Sequence, residues 1–240
     1  AAFAESLAAR GLDLILIARR ANILEAFAAS LRSSYKVTVE CIALDLTDPE
    51  LSDTLIALTT SHDIGLGIYN AAYAPVGSFL DRDLHDLERI LDVNARGPLL
   101  FSRILGSALV ARGRGGVVLM SSLAGHQGTP RLATYAATKA FNTVLAEGLW
   151  HELSERGVDV LVSCAGAIRT PGYADIVGKE APGTLDASVV AERTLNRLGR
   201  GPRVVPGLLN QFASMLMSRW MPRRTAIRIM AKNTGDLAEN

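Results

Sequence analysis

The sequence predicts an α/β protein in which a doubly wound parallel sheet lies between two layers of helices. Segments with helical spacing of apolar residues alternate with short apolar runs along most of the 240-residue chain. Strands that alternate with helices on this scale pair in parallel through right-handed crossovers, which places helices on both faces of the sheet. No linker or repeat interrupts the pattern. We therefore expect a single domain over residues 1–240, with residues 206–240 as an apolar, helical C-terminal extension.

The composition excludes several classes of protein. Hydrophobic residues make up 49% of the chain, enough for one continuous core. The 25 basic and 24 acidic residues nearly cancel, so we expect no nucleic-acid partner. Cys41 and Cys164 lie in apolar, strand-like runs that are typical of reduced core thiols. No apolar run reaches the ~20 residues of a membrane span, and the first residues do not resemble a cleavable signal, so we expect a cytoplasmic protein.

The first half of the chain begins with a helix. Phe3 and Leu7 share one face of residues 1–11, and Gly11 is a typical helix end. The apolar run 12–18 follows at once, as expected for a buried strand. Further helices are predicted at 22–32 and 49–60, and further strands at 36–44 and 64–70.

The second half continues the alternation. Leu84, Leu87 and Leu91 open the apolar stripe of a long helix predicted over 83–111. The pattern then predicts a strand at 116–122, a helix at 131–156, a strand at 158–164, a helix at 186–199, a short strand at 203–205 and an apolar terminal helix.

The predicted sheet lacks the strand with which a doubly wound design begins. In that design a central first strand leads through a glycine-rich, phosphate-binding turn into the first helix, whereas this sequence starts on the helix. Without that strand its two neighbours would lie about two strand spacings, ~9.6 Å, apart and could not hydrogen-bond to each other. We therefore expect an N-terminal extension that contains a strand and a glycine-rich turn, which an intact-mass measurement would detect.

The most informative residues are Ser122, Tyr135 and Lys139, in LMSSLAG and TYAATK. Tyr135 and Lys139 are four residues apart on a predicted helix, so they share one face, one turn apart. A nearby ammonium favours tyrosinate and lowers a phenol pKa, as a general acid needs. Ser122 ends the preceding strand, at the sheet edge where such folds bind ligands, and its hydroxyl could orient a carbonyl that Tyr135 protonates.

Ser122 and Tyr135 are 13 positions apart. With these residues and this spacing, the chain resembles the short-chain dehydrogenase/reductase family from residue 1 to about residue 205. The resemblance implies a Rossmann-like fold with Ser122, Tyr135 and Lys139 as catalytic residues. Asn94, in LDVNARG, falls where the family has an asparagine that holds a water linking the lysine to solvent.

The resemblance also implies a dinucleotide site. Asp45, in ALDLTD, matches the acidic residue at the adenine edge, and Asn70, in YNAAYAPVG, matches an asparagine at the ribose. The segment 164–171, CAGAIRTP, is similar to the loop that closes on nicotinamide. The cofactor-binding residues predicted in all are Arg19, Arg20, Asp45, Leu46, Asn70, Tyr135, Lys139, Gly166, Ile168 and Thr170.

Three features depart from the family pattern. The glycine-rich turn TGxxxGIG does not occur, Tyr69 and Ala72 replace an asparagine and a glycine, and Ala165 replaces a proline. None of these changes removes the proton-transfer residues, so we expect an active enzyme. The alternative is a dinucleotide-binding sensor or scaffold that keeps the fold without turnover.

The end of the strand 12–18 predicts the cofactor. A carboxylate there would favour NAD(H), but Ala18 is followed by Arg19 and Arg20. A guanidinium can pair bidentately with a 2′-phosphate, so we expect NADP(H) to be preferred over NAD(H), with Arg19 as the better candidate. The alternative is that both arginines are simply solvated at a helix start.

Together these features predict NADPH-dependent reduction of a ketone or aldehyde, or the reverse alcohol oxidation, on a lipophilic or acyl-type substrate. Family likeness implies a homodimer or homotetramer through helices 83–111 and 131–156. The segment 208–232 combines apolar and basic residues; it could be a core or subunit-contact helix, roof a lipophilic pocket, or contact a membrane surface. His126 could line the substrate cavity, but we favour the interpretation as a surface or loop residue. No histidine has metal-ligand spacing, so no metal is expected.

Overall fold

The fold is described from a computed structural model that covers residues 1–170 and 180–235. The longer strands are apolar runs without a polar face, as expected for strands buried on both sides. The strands are β1 (Leu14–Ala18), β2 (Val39–Ala43), β3 (Leu66–Tyr69), β4 (Gly115–Ser122), β5 (Val158–Ala165), β6 (Ile168–Arg169), β7 (Leu185–Asp186) and β8 (Arg203–Val204).

Helices separate most of these strands, close to the predicted positions. They are α1 (Ala2–Ala8), α2 (Ala21–Tyr35), α3 (Leu51–Ser61), α4 (Leu84–Leu91), α5 (Gly97–Arg112), α6 (Ala133–Ser154), α7 (Ala187–Leu195), α8 (Leu208–Met215) and α9 (Arg223–Gly235). Gly113 ends α5 in the left-handed conformation, with a φ of 74° that glycine adopts without a steric penalty.

Every strand pair is parallel, which confirms the predicted fold class. The strand order is β3-β4-β5-β8 in a four-stranded sheet and β1-β2 in a separate pair, and β6 pairs with β7. Within these ladders Ala18 lies opposite Ala43, and Ser122 lies opposite Ala165. The carboxyl ends of β1 and β2 therefore align with each other, as do those of β4 and β5.

The large sheet is interrupted between β1 and β3. Among the described residues β1 pairs with β2 and β3 with β4, and no ladder joins the two groups. The interruption falls where the sequence predicts an additional strand. That strand and its glycine-rich turn stay a prediction.

Helices cover the sheet in two layers. Helices α3, α5 and α6 lie on one face, where α5 and α6 cover β4 and β5, while α1 packs against α2 and α7 on the other. The main core lies between the first layer and the sheet; Leu109, Leu119 and Val162 are fully buried there. Burial of each such side chain stabilises the fold by about 1.5–3 kcal/mol.

The predicted helix over 83–111 is divided by a π-helical turn at Asp92–Arg96. Such turns insert an extra residue into the helical ladder and are frequent at functional sites. This turn contains Asn94, whose side chain it directs into the protein interior.

Two helices follow β8 in the last described part of the chain, and the predicted C-terminal extension over 206–240 stays a prediction. Helix α8 continues into a π-helical turn, Leu216–Trp220, and α9 follows. Over the ranges described, no helix combines the length and apolar character that a membrane span requires.

Candidate active site

Ser122 stands at the end of β4, where the strand turns into the short 3-10 helix Leu123–His126. Its hydroxyl caps that turn by accepting a hydrogen bond of 3.2 Å from the Ala124 amide. Helix α6 brings Tyr135 alongside, near enough for the Ser122 hydroxyl to lower the pKa of the phenol. The structure therefore brings together the predicted serine and tyrosine.

Lys139 lies one turn further along α6 and is buried, with 2% of its surface exposed. Its ammonium donates a hydrogen bond of 2.9 Å to the carbonyl of Met120, on β4, and lies 5.5 Å from the centre of the Tyr135 ring. The strand backbone thus holds the lysine beside the tyrosine. Lys139 and Tyr135, which the sequence predicts to lie together, therefore form a cation–π interaction.

The pKa relation between these two groups differs from the sequence prediction. Burial raises the pKa of Tyr135, and the Ser122 hydroxyl only partly offsets that effect. Burial also lowers the pKa of Lys139 to about 8. With the ammonium over the ring and bonded to Met120, the pKa of the phenol lies above its usual value, whereas the helical spacing alone predicts a lowered pKa.

Residues outside the predicted set fix the position of α6 against β4. The Ser121 hydroxyl donates to the carbonyl of Lys139 at 2.7 Å and lies 2.9 Å from the hydroxyl of Thr143. A Cβ at Gly125 would lie 2.7 Å from the amide nitrogen of Ala140, so only glycine allows the turn to approach the helix so closely. In the sequence, only the pair Ser121 and Ser122 indicates that a second serine could hold α6 against β4.

Asn94 is fully buried and binds the loop after β3. Its amide nitrogen donates to the carbonyl of Tyr73 at 2.7 Å, and its oxygen accepts from the Tyr73 amide at 2.8 Å. The side chain therefore fixes the backbone next to the predicted ribose residue, Asn70. The predicted role with a water and the lysine stays a prediction.

Tyr69 shows how the altered YNAA sequence is accommodated. Its hydroxyl donates to the carbonyl of Val93 at 2.7 Å, and its ring packs edge-on against Phe101. Gly97 makes room for it, because a Cβ there would lie 2.0 Å from the tyrosine oxygen. The replaced asparagine has become a buried anchor for the end of β3.

A second cluster, at the ends of β1 and β2, is charged and partly exposed. Arg19 lies 3.8 Å from the carboxylate of Asp45, and Arg89, on α4, donates to the same carboxylate at 3.1 Å. Burial raises the pKa of Asp45, but hydrogen bonds from Thr47 and the two arginines outweigh it and hold the pKa below its usual value. Sequence analysis missed Arg89, which also lies over the ring of Tyr73.

The other predicted cofactor residues lie near strand ends. Arg20 precedes α2 and is exposed, Leu46 packs against the main core, and Asn70 is exposed after β3. A Cβ at Gly166 would lie 2.9 Å from the amide of Asn210, and Ile168 belongs to β6. Thr170 is the last residue before the segment 171–179; Pro171, at the end of the CAGAIRTP motif, lies outside the described residues.

A cleft opens beside the Tyr135 phenol. The cleft is small, with a volume of about 10 Å³, and its walls come from the loop after β3, from α4 and from the start of α6. Apolar residues share the lining with Arg82, Arg131 and Thr134; Arg131 has a φ of 62° and its carbonyl accepts a hydrogen bond from the Gly77 amide. The apolar lining consists of Pro75, Phe79, Leu87, Ile90, Leu132 and Ala133.

His126 lies in the short 3-10 helix of the connection between β4 and α6, a loop position as expected, but it is more enclosed than a surface residue. The ring is half-buried, with Arg203 at Nε2 and the Ser214 hydroxyl 3.1 Å from Nδ1. Because arginine can only donate, Nε2 accepts and Nδ1 carries the proton. Burial, assisted by the charge of Arg203, lowers the pKa of His126 to about 4.

In the described part of the chain, no three histidine, cysteine, aspartate or glutamate side chains lie close enough to form a metal site.

A parallel α/β fold with serine, tyrosine and lysine at the sheet edge defines a class of dinucleotide-dependent oxidoreductases. Residues 1–181 match the model of the short-chain dehydrogenase family. The chain belongs to that family, which confirms the family and enzyme class predicted from the sequence.

Individual relatives differ in length. The chain is 35% identical over 164 residues to a very-long-chain 3-oxoacyl-CoA reductase of Podospora anserina, covering 66% of this chain and 48% of that protein. It is 32% identical over 175 residues to a 7beta-hydroxysteroid dehydrogenase of Clostridium sardiniense, covering 72% of this chain and 66% of that protein. The chain thus spans about half the length of the first relative.

Solved structures support the fold over nearly the whole chain. A structure described for 7beta-hydroxysteroid dehydrogenase stereoselectivity has a TM-score of 0.89 at 26% identity, covering 95% of this chain and 91% of that one. A short-chain dehydrogenase from Sphingobium yanoikuyae in complex with NADPH has a TM-score of 0.79 at 30% identity, covering 92% and 91%.

Proposed function

We propose that the protein is an NADPH-dependent reductase of a ketone or aldehyde, able to run the reverse alcohol oxidation with the same groups. One observation carries the proposal: Ser122, Tyr135 and Lys139 converge at the carboxyl edge of the sheet, beside a small, partly apolar cleft. Two hydroxyls and one amine can position a carbonyl oxygen and supply its proton.

Two places at the carboxyl ends of the strands support a dinucleotide site: the charged cluster after β1 and β2, and the glycine after β5. Arg19 and Arg89 offer guanidinium groups beside Asp45, and Gly166, just after β5, allows the side chain of Asn210 to pack against its backbone. When bound, the cofactor supplies the hydride.

The protein's own groups handle the proton. The Ser122 hydroxyl holds the carbonyl oxygen, and Tyr135 donates the proton to that oxygen as charge develops on it. The raised pKa of Tyr135 keeps the phenol protonated at neutral pH and thus ready to donate. Lys139 supplies a positive charge that favours the tyrosinate left after donation.

The preference for NADPH rests on the charged cluster around Asp45. Arg89 is closer to the Asp45 carboxylate than Arg19 is, at 3.1 Å against 3.8 Å. The guanidinium of Arg19 is only loosely paired with Asp45, and the Arg19 side chain is 60% exposed, so the guanidinium can also pair with a 2′-phosphate. A neighbouring family member crystallised with NADPH is consistent with this preference.

Arg19→Glu tests the preference directly. The carboxylate would repel the 2′-phosphate, so we expect kcat/KM with NADPH to fall by about tenfold or more relative to NADH. Arg20→Glu is the matched control and should change the ratio less. An unchanged ratio in Arg19→Glu would refute the role of Arg19.

The apolar surface around the cleft supports a lipophilic or acyl-type substrate. Phe79 in the cleft wall and the neighbouring Leu80 and Leu84 are exposed, and they offer apolar surface outside the small cleft to the non-reacting part of the substrate. The named relatives act on steroids and long-chain acyl thioesters, by their names, which agrees with a bulky apolar ketone.

We propose that the protein is a cytoplasmic, single-domain homo-oligomer. Leu99 on α5 and Phe141 and Val144 on α6 are exposed apolar residues on neighbouring helices. These helices are the predicted subunit contact, and pairing would remove their apolar surface from water.

The activity is tested by NADPH oxidation with a panel of bulky ketones. Tyr135→Phe should reduce turnover by about 10²–10⁴-fold because the proton donor is lost, while NADPH binding, followed by cofactor fluorescence, persists. Cofactor binding without turnover in the unmodified protein would favour the alternative, a dinucleotide-binding sensor, for which the altered YNAA sequence is the supporting observation.

A further inference from the structure

Helix α8 and the π-helical turn after it, together residues 208–220, present their apolar side chains to the outside. Leu208, Phe212 and Trp220 recur at helical spacing, and Phe212 and Trp220 are 59% and 76% exposed. Leu209, Met215 and Leu216 are exposed beside them. We name these six residues the outer apolar face.

Two polar residues of the same helix, Asn210 and Ser214, point inward. Asn210 is buried and donates to the carbonyls of Gly183 and Pro206, each at 3.0 Å. Ser214 is buried and lies 3.1 Å from the His126 ring. The orientation is thus fixed by hydrogen bonds, and it is the reverse of what an ordinary surface helix shows.

Every charged side chain of the segment that carries the outer apolar face, between positions 206 and 235, is positive. Between positions 206 and 235 the chain has five basic residues and no aspartate or glutamate, although the whole protein carries a net charge of only +1. Arg224, Arg228 and Lys232 follow at intervals of four along α9, so they share one exposed face. Arg219 adjoins Trp220 and is also exposed.

We propose that residues 208–232 bind the surface of an anionic lipid bilayer. Apolar and aromatic side chains enter the boundary between headgroups and acyl chains, while arginine and lysine pair with anionic headgroups. The segment lies on the membrane and does not cross it. This contact goes beyond the proposed reductase activity and does not depend on it.

Charge decides against a second copy of the chain as the occupant. A twofold contact places the same patch on both subunits, and here it would bring the basic residues of one copy against those of the other. No described acidic residue forms an ion pair with Arg219, Arg224 or Arg228 that would relieve this repulsion. An anionic surface complements the patch instead.

The test is co-sedimentation of the full protein with vesicles of phosphatidylcholine, with and without phosphatidylserine. We expect binding to the anionic vesicles that weakens as salt is added. Phe212→Ser with Trp220→Ser should weaken it by about tenfold or more, and so should Arg224→Gln with Arg228→Gln.

Matched controls separate the patch from general effects. Ile56→Ser removes an exposed apolar residue from α3, and Arg197→Gln with Arg200→Gln removes the same charge elsewhere. These controls should bind like the unmodified protein. Circular dichroism checks that each variant is folded.

Tryptophan fluorescence gives a second reading, since the chain has two tryptophans and Trp150 packs against the core. Anionic vesicles should shift the emission to the blue in the unmodified protein but not in Trp220→Phe. Absence of vesicle binding at low salt would overturn the proposal. The proposal would also be overturned if the unmodified protein did not bind vesicles and Phe212→Ser with Trp220→Ser caused its subunits to dissociate.

Discussion

The candidate active site and the C-terminal segment both bury polar side chains, but with opposite surroundings. At the candidate active site Ser121, Lys139 and Thr143 bind the backbone where β4 meets α6, and apolar side chains surround them. In the segment, Asn210 and Ser214 point inward and the apolar side chains point to the outside. Buried polar groups therefore have two uses here: they hold reacting groups in place, and they orient a helix so that its apolar face stays available.

After Tyr135→Phe, the largest effect is expected from Lys139→Met. Loss of the ammonium should reduce turnover by about 10²–10³-fold, because only the Ser122 hydroxyl then favours the tyrosinate. Stability should change in the opposite direction. The pKa of Lys139 is lowered from 10.5 to about 8, so folding at neutral pH works against a buried charge.

The sign of that stability change can be derived. The unfolded chain binds the lysine proton more tightly, so the charge costs stability at any pH below about 8, and the cost disappears as the pH rises from about 8 to 10.5. Methionine removes the charge. We therefore expect the free energy of unfolding, measured in urea at neutral pH, to be about 1–3 kcal/mol higher in the variant than in the unmodified protein. A variant that loses both activity and several kcal/mol of stability would contradict this comparison.

Asn94→Ala tests whether polar groups at the candidate active site position the backbone. The variant loses both hydrogen bonds to Tyr73 and leaves buried backbone groups without partners, so stability should fall by about 2–3 kcal/mol. Urea unfolding measures the change. Ser102→Ala is the control, because the buried Ser102 hydroxyl has no partner in the described part of the chain; a similar loss there would mean that the effect is not specific to Asn94.

A smaller effect is expected at His126, which holds the C-terminal segment through Ser214. Its pKa is lowered from 6.5 to about 4, so the unfolded chain takes up the proton first as the pH falls. Stability from this group is therefore complete above about pH 6.5 and is lost toward pH 4. Allowing for the half-exposed ring, we expect a loss of about 1 kcal/mol between pH 7 and pH 5.

His126→Gln separates the contribution of His126 to the pH dependence of stability from that of the carboxyl groups of the protein. The variant should lose about 1 kcal/mol less than the unmodified protein over the same pH interval, as measured by urea midpoints. Equal pH dependence in both proteins would show that His126 stays hydrated and does not fix the segment.

The sequence could predict contacts between residues that lie close together along the chain, but not contacts between residues that are far apart along it. Ser122, Tyr135 and Lys139 lie in two short motifs, and the strand end and helical spacing place them near one another. Arg89 is 44 residues from Asp45, and Ser214 is 88 residues from His126. No local pattern connects such pairs, so the charged cluster and the His126 contacts became visible only in the fold.

The orientation of α8 shows a second limit. Its apolar periodicity is the same whether that face turns inward or outward, so the sequence permitted a core helix, a pocket roof or a membrane contact. Hydrogen bonds of Asn210 and Ser214 to distant residues decide the orientation. The π-helical turn at Asp92–Arg96 was also missed, because it leaves the apolar stripe of the helix almost unchanged.

The proposed reductase depends on Ser122 and Tyr135 acting on one carbonyl oxygen. The direct measurement is kcat/KM for ketone reduction in Ser122→Ala, Tyr135→Phe and the double variant. If the two hydroxyls form one unit, the double variant should be no more than about threefold slower than Tyr135→Phe, because the second loss removes nothing further. If the two single losses multiply in the double variant, the hydroxyls act independently and the account of the site is wrong.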